Sequence, residues 1–144
     1  MSGIIVGVDG SGHSHRALDW AVREAAVRRA PLTVLTVHQV PRGYYSAVPF
    51  PQDPELAERA RVLAEEQTDK VLTELETRPP SVTVQSVMGI PSQELLIAAK
   101  DADMLVVGSR GAGGFARLML GSVSSQVTHH ARCPVVIVPP EDRA

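Results

Sequence analysis

Ile4-Ile5-Val6-Gly7-Val8, Met104-Leu105-Val106-Val107 and Val135-Val136-Ile137-Val138 are short runs, rich in valine and isoleucine, that carry no polar residue. A strand with one wet face alternates apolar and polar side chains. An unbroken, mostly β-branched run of this length instead marks a strand covered on both faces, the usual condition of a parallel sheet. Leu32 to Val40, rich in valine, leucine and threonine, adds a second strand in chain order. Val82 to Val87, stopping at Gly89, adds the third.

Parallel strands need crossover connections, and the segments between the runs have helical spacing. Ala17, Leu18, Ala21, Val22 and Ala25 recur three and four apart, predicting an amphipathic helix from about Ser14 to Ala30 that Pro31 stops. Asp53-Pro54-Glu55 supplies a cap, a proline for the first helical position and an acid for the first turn. The stripe Leu56, Ala60, Leu63, Gln67, Val71 and Leu75 carries that helix to about Arg78, before Pro79-Pro80. Ser92 is expected to cap a shorter helix over Glu94 to Lys100, and a last helix is expected from Ser122 to Ala131. Residues 41 to 53, holding Tyr44, Tyr45 and Phe50 among three prolines, read as a loop that covers a ligand, meets a partner or simply packs.

The order β-α-β-α-β-α-β-α-β with right-handed crossovers specifies an α/β fold: a single doubly wound domain over residues 1–144, with a five-stranded parallel sheet and helices on both faces. Patterning leaves two strand orders open, 2-1-3-4-5 and 3-2-1-4-5.

Composition removes several function classes. Fourteen basic against sixteen acidic side chains give a net charge of -2, with no block of like charge, so no nucleic-acid partner is expected. Aromatic residues make up 3%, too few for a base-stacking platform. No window of about eighteen consecutive apolar residues exists, so no membrane span is expected, and Met1 to Asp9 does not resemble a signal peptide. The single cysteine, Cys133, excludes an intrachain disulfide and a cysteine-based zinc site. A cytoplasmic location is expected.

In an open α/β sheet, ligands bind beyond the carboxyl ends of the strands where the winding reverses. In the order 3-2-1-4-5 that point lies between strand one, ending at Asp9, and strand four, ending at Gly108-Ser109-Arg110-Gly111. Glycine-rich turns let phosphate oxygens approach backbone N–H groups, and a following helix N-terminus adds partial positive charge. Gly108, two residues, Gly111, nine residues and then Gly121-Ser122 form such a pattern.

That pattern resembles the G-2x-G-9x-G(S/T) nucleotide loop of the universal stress protein family (UspA-like, ATP-binding type). The resemblance covers nearly the whole chain, including Ile5-Val6-Gly7-Val8-Asp9-Gly10-Ser11, Gly89-Ile90-Pro91, Leu120-Gly121-Ser122-Val123-Ser124 and Cys133-Pro134-Val135-Val136-Ile137-Val138-Pro139. It implies strand order 3-2-1-4-5 and ATP as ligand, with Mg2+ held by the phosphates. It places Asp9 and Val37 at the adenosine half, with Gln39 in place of Val37 if the alignment shifts by two. It puts Val107 on the pocket wall, and Gly108, Arg110, Gly111, Gly121, Ser122, Val123 and Ser124 around ribose and phosphates. It also implies a homodimer through the last strand, Val135 to Val138, and a nucleotide-dependent stress-response sensor or regulator with possible protein partners.

Rival motifs are weaker. No G-x-x-x-x-G-K-[ST] occurs. Gly111-Ala112-Gly113-Gly114-Phe115-Ala116 fits a loose dinucleotide pattern, but no acid lies about twenty residues further on. His13, His15, His129 and His130 lack ligand spacing, so no protein-held metal is expected, and His129 or His130 suits the carbonyl end of its helix. Ser11, Ser14, Ser109 and Ser122 read as cap or turn residues, with no G-x-S-x-G elbow for a nucleophile. No catalytic residue is expected. The alternatives are a slow ATPase or nucleotidyl-transfer enzyme of the adenine-binding α/β group, and a dimeric interaction module that uses no nucleotide.

Overall fold

A computed structural model describes residues 3–39, 54–109 and 121–140. Its elements are β1 (Ile4–Val8), α1 (Gly12–Arg28), β2 (Leu32–Gln39), α2 (Pro54–Thr73), β3 (Val82–Gly89), α3 (Pro91–Ala98), β4 (Met104–Gly108), α4 (Ser122–His130) and β5 (Val135–Val138). The five strands form one sheet in the order β3-β2-β1-β4-β5, and every pairing is parallel. This is the doubly wound α/β fold expected, and it settles the strand order that patterning left open. The loop over residues 41 to 53 lies outside the described residues.

The apolar runs are covered on both faces because period-two alternation sends their side chains into two separate cores. Ile4, Val6 and Val8 join Ala17, Leu18, Ala21, Val22 and Ala25 of α1 and Val71 and Leu72 of α2. Ile5 meets Leu35, Leu95 of α3, Leu105, Val107 and Val127 of α4 on the opposite face. Gly7 has a packing reason: a Cβ there would stand 2.8 Å from Leu95 Cδ2, so the missing side chain lets α3 settle onto the central strand.

The stripe of α1 is buried as its spacing predicts. The helix ends at Arg28, earlier than Pro31 alone would require. Arg29 turns left-handed at φ 54°, and the Ala30 amide reaches back to the Ala25 carbonyl at 2.9 Å. This is the bonding of a Schellman-type stop.

The other helices depart from expectation in three places. In α2 the buried positions are Ala64, Thr68, Val71 and Leu72, whereas Leu56 and Leu63 are about half exposed at 50% and 45%. Repeated spacings of four drift around a 3.6-residue helix, so the expected stripe leaves the sheet toward its amino end. Thr68 is accepted in the core because its hydroxyl donates to the Ala64 carbonyl at 2.7 Å. Second, α2 ends at Thr73, not near Arg78. The Glu74 and Leu75 amides bond to the carbonyls three residues back, a tightened last turn. Third, Ser92 does not cap α3, whose N-cap is Ile90 with Pro91 at the first helical position. Proline suits that site because its fixed φ is already helical and its absent N–H would have had no partner there.

Among the described residues no helix is long and apolar enough to cross a membrane.

Candidate functional site

The winding reverses between β1 and β4, so their carboxyl ends open the crevice in which such sheets bind ligands. Their register, Ile4↔Met104 through Val6↔Val106, places Val8 and Gly108 at one level. Asp9 follows the end of β1, and Ser109 follows the end of the neighbouring β4. On the other flank Val8 pairs with Thr36, so one step further brings Val37, not Gln39, level with Asp9. Val37 itself is half-buried against the α3/α4 core.

Asp9 is exposed at the mouth of this crevice. Its Oδ1 accepts from the Ser11 amide at 2.9 Å and the Ser11 hydroxyl at 2.5 Å. The turn requires Gly10, whose φ is +81°. Ser11 is the N-cap of α1, its side chain accepting from the Ser14 amide, as its residue type suggested.

Across the crevice, Ser109 is buried and joins three elements. Its amide donates to the Val138 carbonyl of β5 at 3.0 Å, and its carbonyl accepts the Gly121 amide at 2.7 Å. The Ser124 hydroxyl, 2% exposed as a residue, donates toward the carbonyls of Ser109 at 3.2 Å and Gly121 at 3.0 Å. The end of β4 and the start of α4 thus meet at one clamped point. Arg110 and Gly111 lie outside the described residues.

Helix α4 starts at Ser122 with Gly121 as its N-cap and no side-chain cap. Its first internal bond runs from the Ser125 amide to the Gly121 carbonyl. The amides of Ser122, Val123 and Ser124 therefore precede the helical ladder, where a partial positive charge collects. Ser122 is exposed and Val123 half-buried.

The structure brings Asp9, Val37, Gly108, Gly121, Ser122 and Val123 to one end of the sheet. Val107 is only 3% exposed and belongs to the core behind the crevice. Ser124 has its hydroxyl turned into the base of the loop. Two contributions were missed in the sequence: the clamp at Ser109, and Ser14, whose Oγ accepts the Asp9 amide at 3.2 Å. The spacing Asp9-x-Ser11-x-x-Ser14 carried that second signal.

Among the described residues no group of three or more His, Cys, Asp or Glu side chains is placed to hold a metal ion. His129 and His130 occupy the last turn of α4.

Comparison with known proteins agrees with this geometry. The model of the universal stress protein family matches residues 1–139. A universal stress protein of Mycolicibacterium smegmatis is 38% identical over 149 residues, covering 99% of this chain and 49% of the relative. One from Mycobacterium tuberculosis (strain CDC 1551 / Oshkosh) is 37% identical over 146 residues, covering 97% of this chain and 48% of the relative. The chain therefore spans about half the length of these relatives. Among solved structures, UspA from Lactobacillus plantarum superposes with a TM-score of 0.70 at 28% identity, covering 95% of this chain and 97% of that one. A universal stress protein in complex with cAMP superposes with a TM-score of 0.68 at 27% identity, covering 96% of both chains. With the strand order, the glycine spacing and these likenesses in agreement, the chain belongs to the universal stress protein family.

Proposed function

We propose that the crevice between β1 and β4 binds an adenine nucleotide, ATP with Mg2+ carried on its phosphates, and that the protein acts as a nucleotide-dependent stress-response sensor or regulator rather than as a dedicated enzyme. The observation that carries this reading is the Ser109–Gly121 clamp. It sets the uncapped start of α4 beside the end of β4, one strand away from Asp9. Backbone amides suit phosphate oxygens, and an exposed carboxylate suits the hydroxyl and amino donors of a nucleoside. The donor set fits a metal held by the ligand, because its contribution to the phosphates is made of amides and a hydroxyl. The related structure with cAMP lends support from a protein of similar fold.

Within this reading Gly108, Gly121, Ser122 and Val123 lie along the phosphates and ribose, together with Arg110 and Gly111. Asp9 and Val37 meet the nucleoside, Val107 backs the wall, and Ser124 holds the loop base. Charge stabilisation at the loop accommodates slow hydrolysis without a positioned base. The edge strand β5, with Val135, Val136 and Ile137 half-buried, provides the surface for a homodimer.

Calorimetric titration of nucleotide-stripped protein with Mg-ATP, using GTP, AMP and cAMP as comparisons, tests the assignment. Micromolar ATP affinity with weaker GTP binding supports it. A folded protein that binds none of the four removes it and leaves protein contacts as the function. Tighter cAMP than ATP binding reassigns the ligand while keeping the site.

A further inference from the structure

Asp9 and the start of α1 are joined by a closed ring of hydrogen bonds that asks more of two serines than helix capping needs. The Ser11 hydroxyl donates to Asp9 Oδ1 at 2.5 Å and accepts the Ser14 amide at 3.3 Å. The Ser14 hydroxyl donates to the Ser11 carbonyl at 3.1 Å and accepts the Asp9 amide at 3.2 Å. The Ser11 amide closes the ring on Asp9 Oδ1 at 2.9 Å. Each hydroxyl has one proton and spends it once, so the donor directions are fixed and the carboxylate acts as acceptor throughout.

We infer that Ser11 and Ser14 are positioning residues for Asp9: they hold its carboxylate and its main chain in the orientation that meets a hydrogen-bond donor of the bound nucleoside. This rests on the nucleotide reading of the crevice. Capping α1 needs only the bond from the Ser14 amide to Ser11 Oγ. The bonds from Ser11 to the carboxylate and from the Asp9 amide to Ser14 add nothing to a cap, yet they restrain the side chain and the main chain of Asp9. Ser14 is 5% exposed, so its restraint on the Asp9 backbone is shielded from water. The ligand group selected is a donor, such as a ribose hydroxyl or an exocyclic amine. A carbonyl oxygen in the same place would face an acceptor and be rejected.

The test separates positioning from capping through Ser11→Ala, Ser11→Asn and Ser11→Thr, with Asp9→Ala as reference. Asparagine caps a helix about as well as serine, but the oxygen that would accept from the Ser14 amide carries no proton to give to Asp9, as Ser11 Oγ does. Ser11→Asn is expected to keep the parental melting temperature and to lose about three- to tenfold in Mg-ATP affinity, the scale of reordering one side chain on binding. Ser11→Ala is expected to lose both stability and affinity, and Ser11→Thr to restore most of each. Binding of Mg-tripolyphosphate, which has no nucleoside, is expected to persist in Ser11→Asn. If Asp9→Ala weakens ATP binding while Ser11→Asn binds like the parent, the positioning role is wrong and the site assignment stands. If Asp9→Ala also binds like the parent, or the parent binds no nucleotide, the site assignment fails and this inference with it.

Discussion

The carbonyl of Ser109 accepts the amide of Gly121 at 2.7 Å, so residues twelve positions apart in sequence meet at the mouth of the sheet. Gly121 has φ -75° and ψ 171°, an extended conformation open to any residue. Its being glycine is therefore not a demand of its own backbone, and under the proposed nucleotide reading a side chain there would compete with the bound phosphates. Gly121→Val is expected to lower Mg-ATP affinity by at least about 1.4 kcal/mol, tenfold, while changing folding stability by less than about 1 kcal/mol. Calorimetry and urea unfolding on one preparation check both. Parental affinity in the variant would remove Gly121 from the site.

Gly7 and Leu95 are coupled by contact. A Cβ on Gly7 would lie 2.8 Å from Leu95 Cδ2 and 3.0 Å from Cδ1, and Leu95 is 3% exposed. Gly7→Ala is expected to destabilise by about 1–3 kcal/mol through overpacking, and Leu95→Ala by about 2–5 kcal/mol through a cavity. The double variant should lose less than the sum by about 1 kcal/mol or more, because each change relieves the other. A denaturant double-mutant cycle measures this coupling. Simple additivity would show that α3 shifts away and that Gly7 does not set its seat.

How far the chain is legible depends on the kind of signal each part carries. Unbroken runs such as Ile4 to Val8 and Met104 to Val107 revealed the sheet because burial on both faces leaves only one type of side chain. The strand order lay beyond patterning, since 2-1-3-4-5 and 3-2-1-4-5 bury the same runs; the glycine spacing and its family resemblance supplied it. The amino half of α2 misled because Leu63 looks like core while Ala64, the smaller residue, is what lets the helix approach the sheet. Ser92 misled because a proline at the first helical position stood in for a capping side chain. In the site, residue types pointed to Asp9 and the glycines, but hydrogen-bond direction was invisible. The clamp at Ser109 and the restraint from Ser14 exist only once β4 meets α4 and β1 meets α1.

Cys133 is the only cysteine, half-buried before β5, and burial pushes its thiol above the usual range, with backbone hydrogen bonds pulling weakly the other way. The thiolate is the reactive form, so alkylation by iodoacetamide at pH 8 should be slower than in the urea-unfolded chain. The folded protein holds this proton more tightly than the unfolded one. Its contribution to stability is therefore full below the unfolded thiol pKa and is lost as pH rises through the folded one. Equal alkylation rates in the folded and unfolded protein would show that the fold neither shields this thiol nor raises its pKa.

Strand β5 ends the sheet, bonded to β4 on one side only. The Pro134 and Val138 carbonyls accept from the amides of Leu105 in β4 and of Ser109 just after it. By the alternation of a strand, the backbone groups of Val135 and Ile137 then face the open edge. If two copies associate through this edge, removing an outward N–H should separate them without disturbing β4. Ile137→Pro does this, since proline is accepted in an edge strand where its missing donor faced outward. Light scattering behind size exclusion is expected to show a dimer for the parent and a monomer for Ile137→Pro, with circular dichroism unchanged. A variant that stays dimeric would move the interface away from the β5 backbone, and a monomeric parent would remove the dimer altogether.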